Sequence, residues 1–419
     1  MPEFRFIHCS DLHIDSPFKG LSVAQPALAE RLRQSTYQAF QNIVQLAIRE
    51  RVDAVLVSGD IYDSCDKSLQ AQLKFRRALK QLSDANIPSF VIHGNHDPLD
   101  SWSASLDYPE GVTVFSGEKV EFYPLIRNDK VLAHIYGISY PKREVTENLS
   151  LKFKRQNKET FAVGMLHANV GGNPGHDNYA PCSVDDLVSG KMDYWALGHI
   201  HAREVLRNSD PAIVYPGNTQ ARKMKEAGEK GCYLVTLRLE QAPEIQFIPT
   251  DEVRFYSEDL DLSLCSTLEE VIRSVRSRCE GLSRQASGKD VLIRLLLKGK
   301  TSVHQELQRP GSLEELGEEV RHFFEDHDQR LWIDLDLNTE GSYDIDSLRQ
   351  GNDFISDVIS FYDEAESGPD AGSNRKRLKD VFENWQGQKY LQDLNDEEVR
   401  KILNQARTLT LDYLVHFNE

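Results

Sequence analysis

Phe6-Ile7-His8-Cys9-Ser10-Asp11-Leu12-His13 sets an apolar run directly against an Asp-x-His pair near the start of the chain. A short apolar run of this kind reads as a strand, with the polar pair where the strand must end. Four further segments repeat the arrangement. Gly59-Asp60-Ile61-Tyr62-Asp63 follows the run 54–58, and Gly94-Asn95-His96-Asp97 follows 89–93. Leu166-His167-Ala168-Asn169 closes 161–166, and Gly198-His199-Ile200-His201 follows 193–197. Helix-length stretches at 26–51, opened by Pro26, and at 68–84 separate the first three runs. Strand alternating with helix is the pattern of parallel βαβ units, and runs this apolar suit strands buried on both faces. In such sheets ligands bind beyond the carboxyl ends of the strands, so all five segments are expected to gather on one edge.

Together the segments offer two carboxylates (Asp11, Asp60), one amide (Asn95) and four imidazoles (His13, His167, His199, His201), with His96 and Asp63 in reserve. That inventory suits two adjacent divalent ions, a common device for breaking phosphoesters. Asp11 and His13 are two apart, as are His199 and His201, so on extended backbone each pair points one way. Gly59, Gly94 and Gly198 stand before ligands where the chain must turn tightly at a strand end. His93 and His134 read as packed residues rather than ligands.

The order Asp-x-His, Gly-Asp-x-x-Asp, Gly-Asn-His-Asp, His, Gly-His-x-His resembles that of the calcineurin-like metallophosphoesterases. More closely, residues 6–18, 166–186 and Tyr215-Pro216-Gly217-Asn218-Thr219-Gln220 resemble the YhaO-type bacterial DNA repair exonucleases, relatives of the nuclease subunit of the SbcCD complex. The resemblance covers about residues 4–235, and the remainder matches only in layout. It implies a four-layer αββα fold with two facing sheets. It also implies that Asp60 bridges two ions, that Asp11, His13 and His201 complete one site, and that Asn95, His167 and His199 complete the other. His96 would assist departure of the sugar oxygen and Asp63 would orient it. Oxygen and imidazole ligands without thiolate suit manganese, with iron or zinc as alternatives.

Composition sets further bounds. The chain has 419 residues, 40% of them hydrophobic, enough for two or three domains with real cores. No stretch is long and apolar enough to span a membrane, and entry into a strand almost at once leaves no visible signal peptide. Six cysteines without paired spacing point to reduced thiols and a cytoplasmic protein. The net charge of −17 is unevenly spread: residues 1–250 hold 28 Lys+Arg against 30 Asp+Glu, and residues 251–419 hold 21 against 36. The acidic part is unsuited to gripping DNA unaided. Lys152, Lys154, Arg155 and Lys158, and Arg222, Lys223 and Lys225, are candidate phosphate contacts.

Three regions are expected: a metallophosphoesterase (nuclease) domain at 1–250, a small α/β capping domain at 251–342, and a helical region at 343–419. In the last, Leu348, Ile355, Ile359 and Tyr362, and then Val399, Ile402, Ala406, Leu409 and Tyr413, recur at helical spacing, the second set behind an N-cap at Asn395. Residues 367–374 read as a linker between them. By resemblance the cap restricts which DNA enters, the tail docks an SMC-like coiled-coil ATPase, and the chain forms a homodimer. No Walker A motif is present, so ATP-driven work must come from such a partner. The expected function is a dimetal phosphodiesterase acting on DNA. The alternatives are a phosphodiesterase of small or cyclic nucleotides and a non-catalytic scaffold of an ATPase complex. The Gly-Asp-x-Val-Asp-Arg-Gly pattern of protein phosphatases is absent, since Ser64 and Cys65 follow Asp63.

Overall fold

The structure, a computed structural model, describes residues 2–18, 26–63, 68–102, 104, 106–172, 177–325, 330–367 and 396–414. The chain forms two compact units, Met1–Tyr256 with Ala286–Leu292, and Ser257–Gln285 with Ile293–Glu419.

In the first unit, β1 (Glu3–Cys9), β2 (Ala54–Ser58), β3 (Ser89–Ile92) and β4 (Val112–Val114) run parallel in that order. Helices α1 (Pro26–Glu50) and α2 (Leu69–Asp84) are the crossovers, and the Ser68 side chain caps α2 by accepting from the Ala71 N–H. A second sheet holds β5 (Glu121–Arg127), β6 (Lys130–Gly137), β7 (Phe161–His167), β8 (Tyr194–Gly198), β9 (Glu204–Asn208) and β10 (Ala212–Tyr215) in the order β5-β6-β7-β8-β10-β9. Strands β11 (Gly231–Arg238) and β12 (Glu244–Pro249) return to the first sheet, β11 antiparallel beside β1. The five site-bearing runs are therefore strands, but shared between two sheets: β1, β2 and β3 in one, β7 and β8 in the other. Period-2 patterning identifies a strand and not its sheet.

Alternation along the strands explains the layers. Ile7, Cys9, Val55, Val57 and Val91 face α1 and α2, meeting Phe40, Ile43, Phe75 and Leu79. Phe4, Phe6, Leu56, Phe90 and Ile92 face the second sheet, meeting Ile135, Val163, Met165, Tyr194 and Val214. The far side of the second sheet packs Trp195, Leu197 and Ile213 under Phe153 and Leu187, the last from the short α3 (Val184–Ser189). This is an αββα stack whose fourth layer is thin. Each fully buried Val, Leu or Phe contributes roughly 1.5–3 kcal/mol, so strands loaded on both faces anchor their own carboxyl ends firmly.

The second unit is a three-stranded sheet, β13 (Val253–Asp261), β14 (Asp290–Thr301) and β15 (Leu331–Gly341), with α4 (Leu268–Gln285), α5 (His304–Gln308) and α6 (Ser312–Phe323). On α4, Val271, Val275, Cys279 and Leu282 form the buried stripe. Among the described residues three helices follow: α7 (Ile345–Arg349), α8 (Phe354–Ser367) and α9 (Asp396–Leu414). Ile355, Ile359 and Leu411 make their small core, packed with Leu348 and Tyr343. Leu409 and Tyr413 of the expected stripe are 59% and 71% exposed; α9 turns Leu411 inward instead. Ser367 ends a helix rather than starting a linker, and the rest of that linker and the Asn395 N-cap lie outside the described residues. Among the described residues no helix is long and apolar enough to cross a membrane, and Cys9, Cys182, Cys232, Cys265 and Cys279 are free thiols. Cys65 lies outside those residues.

Candidate metal centre

The loop after β1 is zipped onto the loop after β2: Asp11 N–H donates to the Gly59 carbonyl at 3.0 Å, His13 N–H to Asp60 at 3.1 Å, and Ile14 N–H to Ile61 at 2.8 Å. The backbone there is not extended. Asp11, His13, Asp60 and His199 take φ of 51°, 44°, 51° and 102°. Left-handed non-glycine residues cost of order 1–3 kcal/mol each and concentrate at functional sites. The two-residue spacings thus deliver their side chains inward through strained turns, not along a pleat.

The three glycines also divide. Gly59 turns the chain, with φ of 91°. Gly94 and Gly198 have ordinary φ and serve close approach: a Cβ on Gly94 would lie 2.7 Å from His167 Nε2 and run into the Asp60 carboxylate. Gly94→Ala should therefore lower stability by about 1–3 kcal/mol in denaturant melts and weaken divalent-ion binding in the same protein. A wild-type melting curve would refute this.

The side chains meet as acceptors. His13 Nε2 lies 3.2 Å from His201 Nε2, with Asp11 Oδ1 3.9 Å from His201 Nε2 and Asp60 Oδ2 3.9 Å from His13 Nε2. On the other side, Asn95 Oδ1 is 3.1 Å from His167 Nε2 and 3.1 Å from His199 Nδ1, and Asp60 Oδ2 is 3.4 Å from His167 Nε2. The outer ring nitrogens already have acceptors: His201 Nδ1 faces Glu226 Oε1 at 2.8 Å, His167 Nδ1 the Ser58 carbonyl at 2.9 Å, and His199 Nε2 the Asp177 carbonyl at 2.8 Å. His13 Nδ1 is 3.2 Å from Asp63 Oδ1, without hydrogen-bond alignment. Protons on the outer nitrogens leave lone pairs converging on two points, with Asp60 between them. Such a donor set fits two cations, which Asp11, His13, Asp60 and His201 and Asp60, Asn95, His167 and His199 could hold.

Charge follows the same geometry. Burial works against an ionised Asp60, yet His167, His96 and His13 around it hold its carboxyl well below the usual range. Burial likewise opposes the charged form of His167, but the Asp60 carboxylate overrides it and draws the imidazole up to about 9, putting a proton where a cation would sit. Burial and the charge of His167 push His199 down to about 4. Burial, then Arg222 and His201, push His13 well below its ordinary value. His201 is raised: burial resists, but its hydrogen bond to Glu226 prevails.

His96 stands beside these groups, its ring 5.0 Å from that of His13 and its side chain 32% exposed. Its Nδ1 is bonded to the Asp63 backbone carbonyl at 2.9 Å, whereas the Asp63 carboxylate is 3.9 Å away. That carboxylate binds the Arg222 guanidinium and accepts from Ser16 Oγ at 2.9 Å. Asp63 thus holds His96 by its main chain, while its side-chain charge is spent on Arg222. His13, Asp63 and His96 also lie close enough to form a ligand triad, but the Arg222 cation already neutralises Asp63.

Sequence reading passed over several supports. Asp97 accepts from the Gly94 N–H at 2.9 Å, from the Ile61 N–H at 3.0 Å and faces His93 Nδ1 at 3.0 Å, bracing two ligand loops at once. Ser10 Oγ donates to Asp11 Oδ2 at 2.5 Å. Glu226 and Arg222 lie just past the Tyr215–Gln220 stretch, in a loop that the sequence marked only through the Arg222, Lys223 and Lys225 cluster, as a phosphate contact. Arg222 is paired with the Asp63 carboxylate, and Arg155 is tied to Asp193 at 2.7 Å; neither is a free surface cation. His93 and His134 are packed against Asp97 and Thr160 as expected.

Comparison with known proteins agrees with this geometry. The calcineurin-like phosphoesterase model matches residues 4–203, and the model of the middle domain of metallophosphoesterase YhaO matches residues 255–338. The chain is 33% identical to the uncharacterized metallophosphoesterase YhaO of Bacillus subtilis over 98% of this chain and 97% of that one. It is 26% identical to the DNA double-strand break repair protein Mre11 of Sulfurisphaera tokodaii over 72% of this chain and 75% of that one. With its paired sheets, its converging acceptors and a full-length likeness to YhaO, the chain belongs to the calcineurin-like metallophosphoesterase family, whose members hydrolyse phosphoesters at a dimetal centre.

Proposed function

We propose that this chain is a DNA phosphodiesterase that works with two divalent ions, manganese by the chemistry of its donors, in DNA repair. The observation that carries the hydrolytic part is the convergence of imidazole lone pairs on either side of Asp60 Oδ2. The likeness to a DNA double-strand break repair protein over 72% of the chain supports the choice of DNA. Bound ions would activate water and offset charge on the phosphoryl oxygens. The protein's own part is to fix seven donors on strained, doubly braced loops. With Nδ1 committed to the Asp63 carbonyl, His96 has Nε2 left to give a proton to the departing sugar oxygen. A cap in the second unit, a homodimer, a cytoplasmic setting and a coiled-coil ATPase partner meeting the exposed Phe354, Phe361, Leu409 and Tyr413 belong to the same reading.

Full-length protein stripped of metal and reloaded with manganese should cleave labelled single- or double-stranded DNA, and chelation should stop it. Cleavage of bis-p-nitrophenyl phosphate without cleavage of DNA would favour a small-ester phosphodiesterase instead. Inactivity on every substrate with metal bound would leave a scaffold.

A further inference from the structure

We propose that Glu226 is a positioning residue that makes the Asp11–His13–His201 position the tighter of two unequal ion sites; this rests on the two-ion reading above. Both Glu226 oxygens are committed. Oε1 accepts from His201 Nδ1 at 2.8 Å, and Oε2 accepts from Asn218 Nδ2 at 2.8 Å and from the Arg222 N–H at 2.7 Å. The side chain is 12% exposed. The turn from Asn218 to Glu226 is thus folded around one carboxylate that also backs a ligand imidazole. Arg222, whose N–H it holds, sends its guanidinium to Asp63, and Asp63 Oδ1 lies 3.2 Å behind His13.

The two positions are therefore built differently. In the first, His201 is backed by the Glu226 carboxylate, whereas the Asp63 carboxylate lies 3.2 Å from His13 Nδ1 out of hydrogen-bond alignment and already bound to Arg222. Both imidazoles of the second are backed by neutral main-chain carbonyls, Ser58 behind His167 and Asp177 behind His199. A carboxylate draws harder on the imidazole N–H and makes the opposite nitrogen a stronger donor to metal. The direct donors are skewed the same way: Asp11 contributes a charge to the first position, where Asn95 contributes a neutral amide to the second. Asp60 is shared. Two cations oppose this, Arg222 on Asp63 and Lys230, whose Nζ meets the His201 carbonyl at 3.1 Å. Arg222 lowers the basicity of His13 through its charge, so the advantage of the first position rests on the Glu226–His201 bond and on Asp11.

The test is calorimetric titration of manganese into the metal-free full-length chain. The wild type should show two events whose Kd values differ at least tenfold. Glu226→Gln, which keeps size and one acceptor oxygen but not charge, should weaken the tight event by about 10–100-fold and leave the weak one in place. A role confined to holding the turn would lower the melting temperature of the metal-free variant and shift both events together, or neither, and either pattern overturns the proposal. So does a wild type with two equal events. Should Glu226→Gln fail to fold, Glu226→Asp, which keeps the charge but withdraws it from His201 Nδ1, must show the same selective loss. A wild type that binds fewer than two ions would instead defeat the two-ion reading itself.

Discussion

Asp60→Asn should lose both ions and lower kcat/KM by about a thousandfold or more. Asp60 reaches both clusters, with Oδ2 3.9 Å from His13 Nε2 and 3.4 Å from His167 Nε2. Bound ions supply several kcal/mol of transition-state stabilisation, and each 1.36 kcal/mol is tenfold in rate. The amide is isosteric, and its oxygen can still accept the His96 N–H that Asp60 Oδ1 accepts at 3.0 Å, so the loop should persist. What is lost is a buried charge answered by His167, His96 and His13, with Arg222 nearby. The measurement pairs metal content after dialysis with turnover on DNA. Retention of both ions, with activity above a tenth of wild type, would show that Asp60 does not bridge.

The parts of this site that were legible in the sequence are those set by burial. Strands loaded on both faces give unbroken apolar runs, so β1, β2, β3, β7 and β8 begin and end within a residue of where the pattern puts them. The hairpin of β5 and β6 was missed. β5 is exposed along most of its length, and its turn into β6 uses Asn128 and Asp129, both left-handed at 51° and 59°. An Asn-Asp pair between strand-like stretches is a hairpin signal in its own right. The side chains that the structure gathers were legible because donor types cluster at strand ends. Their supports were not, because Glu226 and Arg222 reach His201 and Asp63 from a turn whose local sequence has no strand to announce it. The role of Asp63 needed coordinates too: a residue code cannot say whether a neighbour is held by a carboxylate or by the carbonyl of the same residue.

His96→Ala should keep both ions and lose about 10²–10⁴-fold in turnover on DNA, the usual contribution of a positioned general acid. His96 lies outside both acceptor clusters, and the backbone N–H it gives to Asp60 survives the substitution, so metal content and melting temperature should stay at wild-type values. The substrate decides between proton donation and mere crowding near the phosphate. A sugar alkoxide leaves poorly unless it is protonated, whereas p-nitrophenolate leaves readily without help. If His96 Nε2 is the proton source, the variant's deficit should shrink by at least tenfold on bis-p-nitrophenyl phosphate relative to DNA. An equal deficit on both esters would mean that His96 binds the phosphoryl group common to them. The Asp63 carbonyl at 2.9 Å would then be holding a phosphate anchor rather than an acid.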